Sequence, residues 1–407
     1  MSQNILVINS GSSSVKFSLF DMKQQTETAS GLAERLGSSD AALTVKWSDG
    51  QTCHALPDSA YPENAHPEST YSSVLKRIIA VLTEQQLLER LPLVIGHRVV
   101  HGGELFTDPV IITDAVIDSI RQCIPLAPLH NPANLAGIEA LATLYPDILQ
   151  VAVFDTAFHQ SLPAKAFLYA LPYELYQEHR VRRYGFHGVS HQYVAAEAAA
   201  RLGISAQHGI ISAHLGNGCS ACAVANGQSM DTTMGMTPLE GLVMGTRSGD
   251  VDPGLHQFLH QQKGWDVETV TNMLNKESGI LGLSGLSNDM RTLEAAANDG
   301  VERAQLALEV FCFRLARHIG GLATSLSQLD ALVFTGGIGE NSRFIRQKVV
   351  DNLAIFGFAL DPDRNAQNGD AQGVISAGPG PKVLVVKTKE EFMIAQAALA
   401  LIQHSRL

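Results

Sequence analysis

Residues 9–20, NSGSSSVKFSLF, crowd one asparagine and four serines around a glycine and then return to alternating apolar residues. The preceding NILVI reads as a buried strand, and Val15, Phe17 and Leu19 alternate with Lys16 and Ser18, so the stretch is a strand, a tight turn and a second strand. Lys16 then points away from the apolar face. So polar a turn has two readings. One is an ordinary hairpin with a solvated lysine. The other is a nest of backbone N–H groups suited to phosphate, with Lys16 as a nearby point charge.

The same plan recurs half a chain later. HLGNGCSACAVANG, beginning at His214, is again a strand, a polar glycine-containing turn and an alternating strand, with Asn9 matched to His214 and Gly11 to Gly216. Chance likeness of two glycine turns is one reading; two homologous lobes, each turning a phosphate-binding hairpin toward one cleft, is the other. A third element, ALVFTGGIGENSRF, is a buried strand, then Gly336, Gly337 and Gly339, then a helix whose start is marked by Asn341 and Ser342. It is not the G-x-G-x-x-G dinucleotide pattern.

Further strands are expected at ALTVKW, TCHAL, PLVIGHRVV, LQVAVFDTAF and KVLVVKT. Helical periods lie at TYSSVLKRIIAVLTEQQLLERL, at NPANLAGIEALATLY with Asn131 as cap, at VSHQYVAAEAAARLG closed by Gly203, and at ERAQLALEVFCFRLARHIGGLATSL. Hairpins mixed with strand–helix alternation predict an α/β protein of mixed sheets rather than a plain doubly wound fold.

A chain of 407 residues exceeds one hydrophobic core, which predicts two domains. The formal net charge of −11, with no Lys/Arg cluster larger than HRVRRYG, argues against nucleic acid as the main partner. No apolar run approaches a membrane span, and MSQNILVINS enters a strand without a basic and apolar leader, so a cytoplasmic protein is expected. Cys53, Cys123 and Cys312 read as isolated, reduced core thiols. Cys219 and Cys222 lie three apart in a strand, on opposite faces, which disfavours chelation or a disulfide.

With these motifs in order, the chain resembles the acetate and propionate kinases, within the larger fold group of actin, the Hsp70 ATPase and the sugar kinases. The likeness runs through VINSGSSSVKFSLF, GHRVVHGGELF, PLAPLHNP, VFDTAFH, RRYGFHGVSH, AHLGNG, DTTMGMTPLEGLVMGTRSGD, NKESG, FTGGIGEN and TKEEF. It implies two lobes, 1–155 joined by a C-terminal helix 391–407, and 156–390 carrying the nucleotide. It also implies transfer of a phosphoryl group from ATP to a short-chain carboxylate, and a homodimer.

The resemblance gives Arg98 and Arg247 as active-site arginines, and a guanidinium fork suits both carboxylate and phosphoryl oxygens. His187 and His130 match its catalytic-site histidines; both stand just before expected helices, where N-terminal capping is the alternative role, while His191, inside a helix, reads as structural. Asp155 matches the active-site aspartate. A carboxylic acid substrate is already ionised at neutral pH, so Asp155 is expected to orient an arginine or a metal-bound water rather than act as a base. The implied methyl pocket is Val100, Leu129, Phe186 and Pro238 beside Arg98. The nucleotide falls to Lys16, to His214, Leu215, Gly216, Asn217 and Gly218, to Asp289, Met290 and Arg291, and to Gly336, Gly337, Ile338, Gly339, Glu340 and Asn341.

For Mg2+, with Mn2+ as a substitute, the resemblance implies Asn9 and one glutamate of TKEEF. Thr388 and Glu391 have the spacing of a capping box, which leaves Glu390 for the metal. The family usually has asparagine where Lys389 stands, so the resemblance departs here. Two rivals remain: a sugar kinase, which would need a hydroxyl-binding pocket of Asp, Asn and Glu, and a nucleotide-switch protein of the Hsp70 or actin type, whose partner-binding extension is not expected beyond IQHSRL.

Overall fold

The computed structural model describes residues 3–56, 67–88, 90–204 and 207–404. The chain divides into two compact units, residues 1–157 with 389–407, and residues 158–388.

The first unit holds strands β1 (Asn4–Gly11), β2 (Ser14–Asp21), β3 (Thr26–Glu34), β4 (Ala42–Trp47), β5 (Gly50–Ala55), β6 (Val94–Val99), β7 (Val110–Ile111) and β8 (Gln150–Phe154). They form one mixed sheet in the order β5-β4-β3-β2-β1-β6-β8-β7. Helices Pro67–Glu84 and Asn131–Leu144 cover the face built by Leu6, Ile8, Val15, Phe17 and Leu19. Helix Glu390–His404 covers the other, and a Cβ at Gly96 of β6 would stand 2.7 Å from Ile394 Cγ2, so only glycine lets that helix approach. Coverage on both faces explains why Ser18 and Phe20 are buried as well as the alternating apolar residues of β2. Lys16 is its one exposed side chain.

The second unit holds β9 (Gly209–Leu215), β10 (Cys219–Ala225), β11 (Gln228–Thr232), β12 (Ala331–Thr335) and β13 (Lys382–Val385), in the order β11-β10-β9-β12-β13. Helix Gly188–Leu202 packs Val194, Ala195 and Ala198 on Ile210, Val224 and Val333 of this sheet. The two sheets share a plan. In both, the sequence antiparallel, antiparallel, parallel, parallel runs across five neighbours, β3-β2-β1-β6-β8 and β11-β10-β9-β12-β13. The duplication expected from the two glycine turns is thus present in the strand order. The turns themselves differ: Gly11 pairs with Ser14 around two residues, whereas Leu215 pairs with Cys219 around three. Counted from those last pairs, the correspondence of Asn9 with His214 shifts by one residue.

Several local expectations are corrected. The helix expected from residue 70 to 91 ends at Glu84, because Gln86 adopts φ 57° and the N–H groups of Leu87 and Leu88 turn back to Leu82. Asn131 does not cap its helix; His130 holds that position, and the buried Asn131 amide bonds the backbone of His101 and Ile120. The glycines after β12 are themselves a helical turn, Gly336–Asn341, after which the Ser342 hydroxyl caps Arg343–Asp351 by accepting from the Ile345 N–H. Cys53 is exposed on the edge strand β5 rather than in a core, while Cys123, Cys219, Cys222 and Cys312 are buried and free. Strands β3, β7 and β11 were not legible, since TETASGLAE, VI and QSMDT lack an apolar alternation of strand length.

Candidate active site

In the first unit the parallel strands β1, β6 and β8 end side by side, and their ends carry Asn9, Arg98 and Asp155. Arg98 Nε donates to Asp155 Oδ1 at 2.9 Å and Nη2 donates to Oδ2 at 2.6 Å. Asp155 is buried. Burial alone would weaken the guanidinium's hold on its proton; the charge and hydrogen bonds of Asp155, with Glu390 and Glu391 beyond, reverse this and leave its pKa raised. The start of helix Asn131–Leu144 is stitched to the same strand ends: Asn134 Oδ1 accepts from the Val100 N–H at 3.0 Å and its Nδ2 donates to the Ser10 carbonyl at 2.7 Å. Asn131 and Asn134 thus fix the backbone just after Arg98 and just after Asn9. Asn131 was read from sequence only as a helix cap, and Asn134, which lies in the quoted NPANLAGIEALATLY stretch, was not singled out.

His130 occupies the N-cap position without a side-chain capping bond, which removes the capping alternative. Val100 is buried at the end of β6 and Leu129 is 48% exposed. The expected capping box of Thr388 and Glu391 does not form. Glu391 pairs with Lys16, which lowers its pKa against the opposing effect of burial, and the Thr388 hydroxyl bonds Ser190. Lys16 is therefore committed to a carboxylate, and Glu391 is neutralised. Glu390 differs: its Oε1 is buried and has no hydrogen-bond partner among the described residues. An orphaned carboxylate oxygen fits a divalent cation, and no cluster of three metal-ligating acids, histidines or cysteines occurs among the described residues. Mg2+ bound there would depend on phosphate oxygens and water for its remaining ligands.

In the second unit the β9–β10 hairpin sets His214 through Gly218 beside two further segments. Gly336, with φ 77°, begins the glycine turn against the Leu215 backbone, where a Cβ would meet it at 2.8 Å. Glu340 is turned inward: its Oε1 accepts from the Gly336 N–H at 3.0 Å and the Thr388 N–H at 3.1 Å, so it ties the turn to the chain after β13 rather than facing a ligand. Asp289 caps helix Met290–Asn298 through the Arg291 N–H and also holds the Arg291 guanidinium, which pulls its pKa down to about 2. Gly216, Asn217, Asp289, Met290, Arg291, Gly337, Ile338 and Asn341 line one cavity of about 750 Å3. Sequence reasoning missed three further lining residues, Asn288, Glu294 and Ser342. Asn288 immediately precedes Asp289, and Glu294 lies one helical turn beyond Met290.

Gly339 and Glu340 are supported from behind by Arg346. This guanidinium is fully buried with no acid bonded to it among the described residues; it donates to the carbonyls of Gly339, Glu340 and Asn365 and to the side chains of Asn365 and Asn368. Burial pulls its pKa down to about 10. Nothing in the sequence distinguished it from a surface arginine.

His187 is the N-cap of helix Gly188–Leu202 in a left-handed conformation, φ 57°, again with no side-chain capping bond. Its ring stacks on His214 at 4.3 Å, and a Cβ built on Gly218 would lie 3.5 Å from Arg247 Nη1 and 3.6 Å from His187 Cε1. Arg247 Nη1 donates to the Pro238 carbonyl at 3.2 Å. Phe186 is buried, and its carbonyl bonds the His159 ring. Val100 and Leu129 thus belong to the first unit, Phe186 and Pro238 to the second.

A nucleotide-sized cavity beside a glycine turn, and an arginine locked by an aspartate at the ends of parallel strands, are the equipment of a phosphoryl-transfer enzyme. The family model described as the acetokinase family matches residues 4–396. An acetate kinase of Ectopseudomonas mendocina is 54% identical over 402 residues, spanning 98% of this chain and 99% of that one. Among solved structures, a propionate kinase of Francisella tularensis superposes with a TM-score of 0.92 at 43% identity, covering 98% of this chain and all of the other, 100%. Porphyromonas gingivalis acetate kinase superposes at 0.90 with 41% identity, covering 98% and 100%. The chain belongs to the acetokinase family.

Proposed function

We propose that the protein transfers the γ-phosphoryl group of ATP to acetate, reversibly, giving acetyl phosphate and ADP. The observation that carries this reading is the two-point bond between Arg98 and Asp155: it presents a guanidinium of fixed orientation to an anion. A carboxylate oxygen of acetate forms the new bond to phosphorus as the bond from phosphorus to the bridging oxygen breaks, and the electron pair leaves on ADP. No base is needed, because the acid is already ionised. Asp155 accordingly orients Arg98.

Arg98 holds the carboxylate, while Arg247 and the rings of His187 and His130 meet the charge on the transferring oxygens. The hairpin from His214 and the glycine turn from Gly336 take the phosphates, and the cavity lined by Asp289, Met290 and Arg291 takes the nucleoside. Lys16 adds charge to the phosphates by exchanging its Glu391 partner. Mg2+, held by Glu390 and Asn9, would neutralise phosphate charge. Val100, Leu129, Phe186 and Pro238 contact the methyl group.

Propionate is the second reading, favoured by the structural likeness to a propionate kinase; all four methyl-pocket residues are apolar, and one methylene changes binding by only about 1–3 kcal/mol. The proposed enzyme is a cytoplasmic homodimer. Its exposed Phe258, Phe313 and Ile355 supply apolar surface for a partner copy, and no helix among the described residues is long and apolar enough to cross a membrane. Pure protein with ATP, Mg2+, acetate and hydroxylamine should yield the acyl hydroxamate. Its absence with every short acid would sink the kinase reading, and sedimentation reports the dimer.

A further inference from the structure

The His187 ring is the visible end of a buried chain of hydrogen bonds. Its Nδ1 lies 2.9 Å from the Ser220 hydroxyl; that hydroxyl lies 2.7 Å from His191 Nε2; and His191 Nδ1 lies 2.7 Å from the Ser212 hydroxyl. His191, Ser212 and Ser220 are all 0% exposed. Two serines on neighbouring strands, β9 and β10, therefore alternate with two histidines one helical turn apart.

Hydrogen counting gives this chain direction. A neutral imidazole has one N–H and one lone pair, and a hydroxyl has one hydrogen. His191 is neutral, because burial above all, and then the neighbouring rings of His159 and His214, hold its pKa well below the ordinary value. Among the described residues the Ser212 hydroxyl has His191 Nδ1 as its hydrogen-bond partner. If His191 donated to Ser212, the buried Ser212 hydrogen would have no acceptor; so Ser212 donates. The remaining hydrogens follow. His191 Nε2–H donates to Ser220, Ser220 donates to His187 Nδ1, and the His187 hydrogen is left on Nε2.

We propose that Ser212, His191 and Ser220 are positioning residues that hold His187 as the neutral Nε2–H tautomer, so that it donates to the phosphoryl group without carrying charge. The proposal rests on the reading that His187 meets the transferring phosphoryl group. Phosphoryl oxygens only accept hydrogen bonds, which suits this tautomer. The groups facing His187 include the rings of His191 from its own helix and His214 from β9, and the Arg247 guanidinium beyond Gly218. With that cation close by, a neutral donor avoids a second positive charge, and Ser220 blocks Nδ1 from taking a proton.

The test is the imidazole nitrogen spectrum of 15N-histidine protein, followed from about pH 7.5 to 5.5, with kinetics on the same samples. In the unaltered enzyme His187 Nδ1 should stay unprotonated throughout. In Ser220→Ala it should take up a proton on acidification, and kcat at neutral pH should fall about tenfold with KM for acetate nearly unchanged. Ser220→Thr, which keeps the hydroxyl, should restore both, and Ser212→Ala should reproduce the effect in weaker form. A hydrogen on Nδ1 in the unaltered enzyme, or an unprotonated Nδ1 in Ser220→Ala, overturns the relay. A protonated Nδ1 with unchanged kcat overturns the catalytic half of the proposal by removing His187 from the phosphoryl group.

Discussion

Arg98 and Asp155, 57 positions apart in sequence, meet through two parallel hydrogen bonds at the ends of β6 and β8. The pairing gives Asp155 a role, that of orienting Arg98, in a proposed reaction that needs no base. Asp155→Asn keeps the shape but loses one acceptor oxygen and the charge. It should lower kcat about 100-fold and stability by about 3 kcal/mol, the scale for stranding one partner of a largely buried pair. Arg98→Leu and Arg247→Leu should each cost at least about 100-fold in kcat. Near-normal turnover in a folded Arg98→Leu protein, checked by circular dichroism, would contradict the assignment.

Glu390 and Glu391 are adjacent but differently committed. Glu390→Ala should raise the Mg2+ concentration for half-maximal rate by about tenfold or more, because it removes the buried carboxylate oxygen that has no hydrogen-bond partner among the described residues. Glu391→Ala should leave the Mg2+ requirement nearly unchanged and cost about 0.5–1 kcal/mol, since its partner Lys16 is half exposed and the pair is screened. Magnesium titrations and melts of both variants decide between them, and the opposite pattern would exchange the roles.

Arg346 should matter to the nucleotide without touching it. Arg346→Met strands the carbonyls of Gly339, Glu340 and Asn365 and should lower stability by about 3 kcal/mol. ATP affinity should weaken more than acetate KM. An equal loss for both substrates would mean that the damage is global rather than confined to the glycine turn.

Val100→Ala enlarges the space beside Arg98, so kcat/KM should move toward propionate and butyrate by about tenfold. The comparison needs all three acids on both proteins. A preference for propionate in the unaltered enzyme would replace the acetate reading, and an unchanged ratio would remove Val100 from the methyl pocket.

Stability should fall on acidification. His97 is buried, which pushes its pKa down to about 4 against the opposing pull of its bond to Gln150, and His191 is held well below its ordinary value. Both are lower folded than unfolded, so the unfolded chain binds more protons between about pH 4 and 6.5. Their contribution is full above about pH 6.5 and is lost as pH falls through the folded values. Melting temperature should therefore rise with pH across this window, and His97→Gln should flatten the slope by about one proton. An unaltered slope would place the acid sensitivity elsewhere.

The sequence by itself determined the family, the two hairpins and the glycine turn, because these depend on local chemistry: apolar alternation, glycines and small polar residues in fixed order. It also set Glu390 apart from Glu391, but on the ground of a capping box at Thr388 and Glu391 that does not form. Tertiary structure decided that point by bringing Lys16 to Glu391 from 375 positions away, and an ion pair over such a separation leaves no local pattern. Asn131 shows the same limit: a preferred capping residue by its neighbours, it is drawn instead to the backbone N–H and carbonyl of His101. Arg346 and the Ser212–His191–Ser220 chain were illegible for a related reason. A buried polar group is tolerated only where several distant partners satisfy it at once, and those partners exist only when the strands and helices have packed.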